Sequence, residues 1–280
     1  ASDVYKRQAF NARYRQGRIT ATGSLVYTNV TEHVKIGDAP ADFQRLAPSF
    51  TVSLQPWQEQ LLFLRLMYKS TFRTPTFNDL YYYRLGNRSL RPEKANEYNI
   101  GITWSKPFVS FLNYFSVTID GYYNDVTDKI VAFPTTYAWK MANYGKVHVT
   151  GMDATLAAAA SLGKNMVLVV SGGYTRQKAI DLTDATSKSY KDQLPYTPKH
   201  SGNVSAVLEM PWVNVGYSIV GVSERYSMSQ NIPENRIDGY MEHTVSLSRN
   251  FSFRHCKLRL QAEIINLTDT QYDVIKYYPM

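Results

Sequence analysis

The sequence predicts an all-β protein whose strands run antiparallel, up and down, as part of a transmembrane barrel. Three observations carry that expectation. The strand-like segments are about 11 to 14 residues long, where strands of soluble proteins average about five or six. At about 3.3 Å per residue and a tilt near 40°, about twelve residues rise roughly 30 Å, enough to cross the apolar band of a bilayer. The best strands also alternate. In residues 257–265 one face carries Lys257, Arg259, Gln261 and Glu263, and the other Leu258, Leu260, Ala262 and Ile264. Phe115, Val117, Ile119 and Tyr123 oppose Ser116, Thr118 and Asp120 in the same way, and Val213, Val215, Tyr217 and Ile219 oppose Asn214, Gly216 and Ser218. A charge at the midplane of a lipid-facing wall costs about 2–4 kcal/mol, so the polar set has to point inward. Finally, short and long connections alternate along the chain, as periplasmic turns and extracellular loops do in outer-membrane barrels. A large soluble β-sandwich or propeller is the competing architecture; it calls for shorter strands and leaves the loop alternation unexplained.

Taken in order, a weak strand at residues 9–15 turns at Gln16 and Gly17 into 18–28, and a long loop follows to Gln44. Residues 45–55 return through the brief 56–59 into 60–71. Beyond the long stretch 72–93, residues 94–105 turn at 106–110 into 111–125. A Tyr- and Trp-containing loop to Val149 precedes 150–161, which turns at 162–165 into 166–177. The polar loop 178–198 leads to 199–210, a tight turn at Pro211 and Trp212, and 213–224. After the loop 225–239 come 240–250, a turn and 257–266, and residues 267–280 read as one more long loop. Gly172 and Gly173, inside a strand, point to a bulge or a close approach by whatever fills the lumen.

Composition excludes several classes. The longest uncharged apolar runs, 154–162 and 166–171, fall far short of the roughly 18 residues of a membrane-spanning helix. The net charge is +8, yet the basic residues are scattered, so nucleic acid is not an expected partner. Cys256 is alone, which leaves no internal disulfide and no cysteine-based metal site. His33, His148, His200, His243 and His255 lack metal-ligand spacing, and no cofactor is expected. Asp120 and Glu263 could suggest paired acid–base work, but lumen-lining polar residues are the plainer reading, and no catalytic cluster supports an enzyme. The opening ASDVYKRQ lacks the apolar stretch of a signal peptide, and residues 1–8 are expected to be a non-native or disordered end.

Between residues 72 and 93, FRTPTFNDLYYYRLGNRSLRPE breaks the strand pattern with two prolines, four arginines and a triple tyrosine. Long aromatic- and arginine-rich loops on a rigid scaffold are frequent binding surfaces; an ordinary surface loop is the alternative. Continued strand alternation sends Tyr82 one way and Tyr81 and Tyr83 the other. Tyr137, Trp139, Tyr144, Tyr190, Tyr196 and Tyr226 add aromatics at the same end.

The segment 72–101 resembles the motif region of TonB-dependent outer-membrane receptors: FR-x-P, F-x-x-LYY, GN-x-x-L-x-PE and a following E-x-x-x-G strand occur here in that order. Residues 264–280, IINLTDTQYDVIKYYPM, resemble the last extracellular loop of the same family. The resemblance covers the chain from about residue 9 and implies about 12 strands of a barrel of about 22 around a plug. Residues 9–280 are then the C-terminal part of the barrel, without plug, early strands or last strand, and this piece alone is expected not to insert as a closed pore, since open edges are not tolerated in lipid. Counting back from a closing strand after Met280 places the motif loop on the extracellular side.

What the resemblance implies is active transport across the bacterial outer membrane, coupled to the TonB complex through a region outside this chain. Ligand capture is expected from Arg73, Arg84, Arg88 and Arg91, which suit carboxylates, catecholates or phosphates, from Tyr81, Tyr82 and Tyr83, and from Asn87. The competing assignment gives some tyrosines to the aromatic girdle and the arginines to lipopolysaccharide phosphates. Family haem receptors carry a histidine within this motif and a proline where Arg88 stands; residues 72–90 contain no histidine, which lowers haem. A basic, aromatic loop favours a ferric siderophore; cobalamin stays open, as does a passive porin or adhesion-type barrel.

Overall fold

The computed structural model describes residues 2–33, 42–83, 85–108, 111–134, 139–163 and 165–279. The chain runs through β1 (Ser2–Gln16), β2 (Ile19–His33), β3 (Phe43–Leu54), β4 (Leu61–Arg73) and a short helix α1 (Phe77–Tyr81). It continues through β5 (Glu93–Pro107), β6 (Leu112–Pro134), β7 (Trp139–Ser161), β8 (Val167–Asp181), β9 (His200–Glu209) and β10 (Asn214–Val222). The two-residue strands β11 (Arg225–Tyr226) and β12 (Arg236–Ile237) precede β13 (Tyr240–Ser252) and β14 (Lys257–Ile264), and β15 (Asp273–Ile275) and β16 (Tyr278–Pro279) close the chain. Twelve of these strands make one antiparallel sheet, each beside its sequence neighbour, in the order β1 to β10, β13, β14. This is an up-and-down barrel wall, and among the described residues no pairing joins β1 to β14, so both are open edges.

Register brings the alternating residues into two continuous faces. Leu66 lies opposite Val52 and Ile100, and Val117 opposite Trp104 and Leu156. Leu208 faces Leu168 and Val215, and Leu247 faces Val215 and Ala262. Ile100 is 63% exposed and Leu260 55%. A contiguous apolar wall of this extent is stable against lipid, not water. The opposite face carries a polar ladder: Thr103 to Thr118 at 3.0 Å, Ser105 to Ser116 at 2.8 Å and Arg65 to Asp120 at 3.0 Å. Gly101 lies between Arg65 and Asp120 in register. A Cβ there would overlap Asp120 Oδ1 and sit 3.0 Å from Arg65 Nη2, so only glycine lets the ion pair bridge across the intervening strand.

The short turns lie at one end. Gly17 takes a φ of +52° in the two-residue turn from β1 to β2, a conformation a side chain disfavours. The long connections gather at the other end, as the sequence predicts. Several expectations are corrected. β1 begins at Ser2 and pairs with β2 from Ser2↔His33, so residues 2–8 are strand and not a disordered end. Gly172 and Gly173 pair regularly with β9, without a bulge. The expected loop up to Val149 is instead the outer part of a tall hairpin, because β6 and β7 are 23 residues each. Above the apolar wall the alternation inverts. Asp125 and Thr127 lie opposite His148 and Lys146 on the outward side, whereas inward Val126 and Val147 are buried. Water replaces lipid outside at that height, and loops replace water inside, so the lipid-wall pattern ends while the strands go on.

Replacing Gly101 with Val is expected to destabilise the folded protein by about 1–3 kcal/mol through the lost ion-pair approach. The readout is a lower temperature for loss of the compact, heat-modifiable form. Gly221→Ala is the control: its Cβ would meet only Met241 Cγ at 3.8 Å, an ordinary contact, and should leave that temperature unchanged.

Candidate functional site

The connection from β4 to β5 is not the continuous loop the sequence suggests. Pro75 and Thr76 end the strand, and Thr76 caps α1 in a capping box: Asp79 N–H donates to Thr76 Oγ1, and Thr76 N–H donates to Asp79 Oδ2 at 2.9 Å. Tyr81 therefore ends a helical turn, and the strand alternation expected for the three tyrosines does not hold. Leu80 and Leu90 are buried against Ile130 of β6, with Tyr81 and Met141 packed alongside. The connection thus lies over the inward side of the tall β6–β7 hairpin.

Three of the predicted ligand residues work as anchors. Arg73 joins four elements: its guanidinium meets Asp79 Oδ2 at 3.2 Å and Glu93 Oε2 at 3.5 Å, and donates to the Ile130 carbonyl at 3.1 Å. Glu93 in turn accepts from the Ile130 N–H at 3.0 Å and lies 3.7 Å from Lys129 Nζ. Asn87 donates from Nδ2 to the Met141 carbonyl, while its Oδ1 accepts from the Ser89 N–H. Arg91 pairs with Asp128, which holds a φ of 55°, and Asn143 ties the Arg91 backbone to the Asp128 carbonyl. Tyr82, Tyr83 and Arg88 are the candidates left outward: Tyr82 is 58% and Tyr83 79% exposed, and Arg88 lies over the Tyr81 ring at 5.2 Å. Arg84 lies outside the described residues. The anchoring acids Asp79, Glu93 and Asp128 were missed from the sequence, although the ND and PE pairs within the motif carry two of them.

The neighbouring loops form a second, interlocked layer. Leu194, from the β8–β9 connection, joins Val126, Val147 and Ala179 in a buried cluster. Gln193 and Asn231 exchange amide and backbone hydrogen bonds at 3.0 and 3.1 Å, joining that connection to the one after β10. Trp139 lies 6.1 Å from Tyr196; Tyr137 lies outside the described residues. In the last connection Asn266 closes a turn by pairing both of its amide groups with the Thr270 backbone. Tyr272 then stacks on Tyr240 at 3.9 Å, and its hydroxyl donates to Glu242 at 2.6 Å. That carboxylate pushes the Tyr272 phenol up to about 12. Arg225, nearly buried, donates to the carbonyls of Asp238, Asp273 and Val274 and locks the tail down. Asp120 and Glu263 form no acid pair: the first is held by Arg65 and the second by Gln261. Among the described residues no group of His, Cys, Asp and Glu is arranged to hold a metal ion.

A family model described as TonB dependent receptor-like, beta-barrel, matches residues 6–267. A vitamin B12 transporter, BtuB, of Photobacterium profundum is 26% identical over 209 residues, covering 72% of this chain and 30% of that protein. The BtuB of Vibrio vulnificus is 34% identical over 84 residues, 29% of this chain and 13% of that protein. Among solved structures, the ferric citrate transporter FecA superposes with a TM-score of 0.73 at 14% identity, over 96% of this chain and 41% of that one. The ferric-catecholate import receptor Fiu of Escherichia coli K12 gives 0.69 at 17%, over 99% and 43%. At such identities the structures speak for the fold alone. The chain spans less than half the length of each of these relatives.

Arg73→Ala is expected to loosen the 74–92 connection by about 1–3 kcal/mol, because Asp79 and Glu93 lose a charged donor. Faster hydrogen exchange confined to that connection and its β6 contact checks it; an unchanged exchange pattern contradicts the anchoring role. A second expectation concerns pH. The Tyr272 phenol is raised on folding, so its contribution is complete below the unfolded value near 10 and lost as pH rises through about 12. Phenolate absorbance should show a late-titrating component that diminishes in Tyr272→Phe.

Proposed function

This chain belongs to the TonB-dependent receptor-like β-barrel family, and on that premise we propose that it forms the cargo-capturing part of an active importer in the bacterial outer membrane. The observation that carries the reading is the division of labour in the 74–92 connection. Arg73, Asn87 and Arg91 fix its backbone over the inward side of the β6–β7 hairpin, and Tyr82, Tyr83 and Arg88 stand outward from that fixed base. A rigid base spares the ordering entropy a floppy loop would lose on binding. Two phenols and a guanidinium suit a flat or anionic chelate by stacking and charge-assisted hydrogen bonding. An anionic ferric siderophore is the cargo this chemistry fits best, in a chain of net charge +8. Coupling to the TonB complex belongs to parts of the protein outside these residues, and lipid and lipopolysaccharide form its surroundings.

Cobalamin is the second reading, favoured by one observation: two relatives of known name are vitamin B12 transporters. Binding of a ferric siderophore panel and of cyanocobalamin to the full-length receptor separates the two. Tyr82→Ala, Tyr83→Ala and Arg88→Ala combined are expected to weaken cargo binding by about 10- to 100-fold while the receptor stays folded. Unchanged affinity in that triple variant would remove the role given to these residues.

A further inference from the structure

The outward wall above β7, β8 and β9 carries a basic cluster that the import reading leaves unused. Arg176 and Lys178 lie on the same outward face of β8, and Arg176 is directly opposite His200 in register. Lys199 precedes β9, and its carbonyl accepts the Gln177 N–H at 2.9 Å. These residues line a groove of about 520 Å³ with Thr150 and Met152. Arg176, Lys178 and Lys199 are exposed and have no carboxylate within ion-pair distance among the described residues. Asp125, on the outward side of β6, is already taken by Lys146 and His148.

An apolar trough of about 460 Å³ adjoins this cluster on the lipid side, floored by Gly202 and Gly221 and walled by Val204, Ile219 and Met241. His200 lines both spaces, and the Tyr174 hydroxyl holds its ring at 2.7 Å. Gly221 pairs directly with Gly202, so two neighbouring strands lack side chains at one height, and the wall is indented there.

The geometry points to a bound membrane lipid: its phosphorylated headgroup on Arg176, Lys178, Lys199 and His200, and an acyl chain in the Gly202–Gly221 trough. Three unpaired cations placed where an apolar wall meets water favour a phosphate at that height, by charge-assisted hydrogen bonds. The adjoining trough gives a hydrocarbon chain carried by that phosphate a place to lie, which a free anion would leave unused. The inference rests on the membrane placement in the import reading, but not on its cargo.

The test is native mass spectrometry of the full-length receptor with a phosphorylated membrane lipid, the same lipid with its phosphate removed, and inorganic phosphate. Retention of the phosphorylated lipid is expected, and Arg176→Gln, Lys178→Gln and Lys199→Gln combined should weaken it by about a hundredfold. Gly221→Leu, whose Cβ would meet only Met241 Cγ at 3.8 Å, occupies the trough and should weaken lipid retention while leaving any inorganic phosphate binding unchanged. Cargo binding and the heat-modifiable form should persist in both variants. Equal retention of the two lipids, retention of inorganic phosphate alone, or wild-type retention in both variants overturns the proposal. Loss of siderophore and cobalamin binding with lipid retention intact would remove the import reading and leave this one standing.

Discussion

A backbone that crosses hydrocarbon has to satisfy every N–H and C=O inside the sheet, and the remainder of this structure depends on that constraint. It demands long strands, each paired on both sides by its sequence neighbours, as β2 to β10 and β13 are. It also leaves side chains to match two different solvents on the two faces. Leucine, isoleucine, phenylalanine and tyrosine meet lipid on one side. Serine, threonine, Arg65 and Asp120 satisfy one another on the other. Gly101 shows how tightly the two demands interlock, since the inward ion pair exists only where the intervening strand has no side chain.

Above the bilayer the same strands obey a different partition. Val126, Ile130 and Val147 are buried on the inward side because connections fold over them, and Asp125, Lys146 and His148 face outward to water. This inversion is what gives the 74–92 connection a place to dock. Leu80 and Leu90 supply the apolar contact, while Arg73, Asn87 and Arg91 supply direction through hydrogen bonds to β6 and β7. Two arginines that read as ligand groups, Arg73 and Arg91, are thus occupied within the fold. Tyr82, Tyr83 and Arg88 remain exposed on the docked connection.

On the outward wall, tyrosine and histidine recur as a unit. Tyr123 with His148, Tyr174 with His200 and Tyr217 with His243 each meet diagonally across two neighbouring strands. Each pair joins a phenol to an imidazole on the outward face and gives the hydroxyl a partner there. None of these histidines has metal-ligand spacing in the chain, and register explains their recurrence without a metal.

The strand array and its faces were legible in the sequence because a period of two, sustained for the height of a bilayer, has one physical cause. Leu258, Leu260, Ala262 and Ile264 announce a lipid wall with no structural help. Where the solvent changes, that signal fails. The outer parts of β6 and β7 read as a loop, since their alternation inverts, and α1 was hidden because one capped turn leaves too few residues for a helical period. The sequence by itself placed the arginines and tyrosines of this connection in one motif. Only tertiary structure decided which of them are spoken for, because Asp79, Glu93 and Asp128 reach those arginines across strand register and a folded turn, separations that no local pattern records.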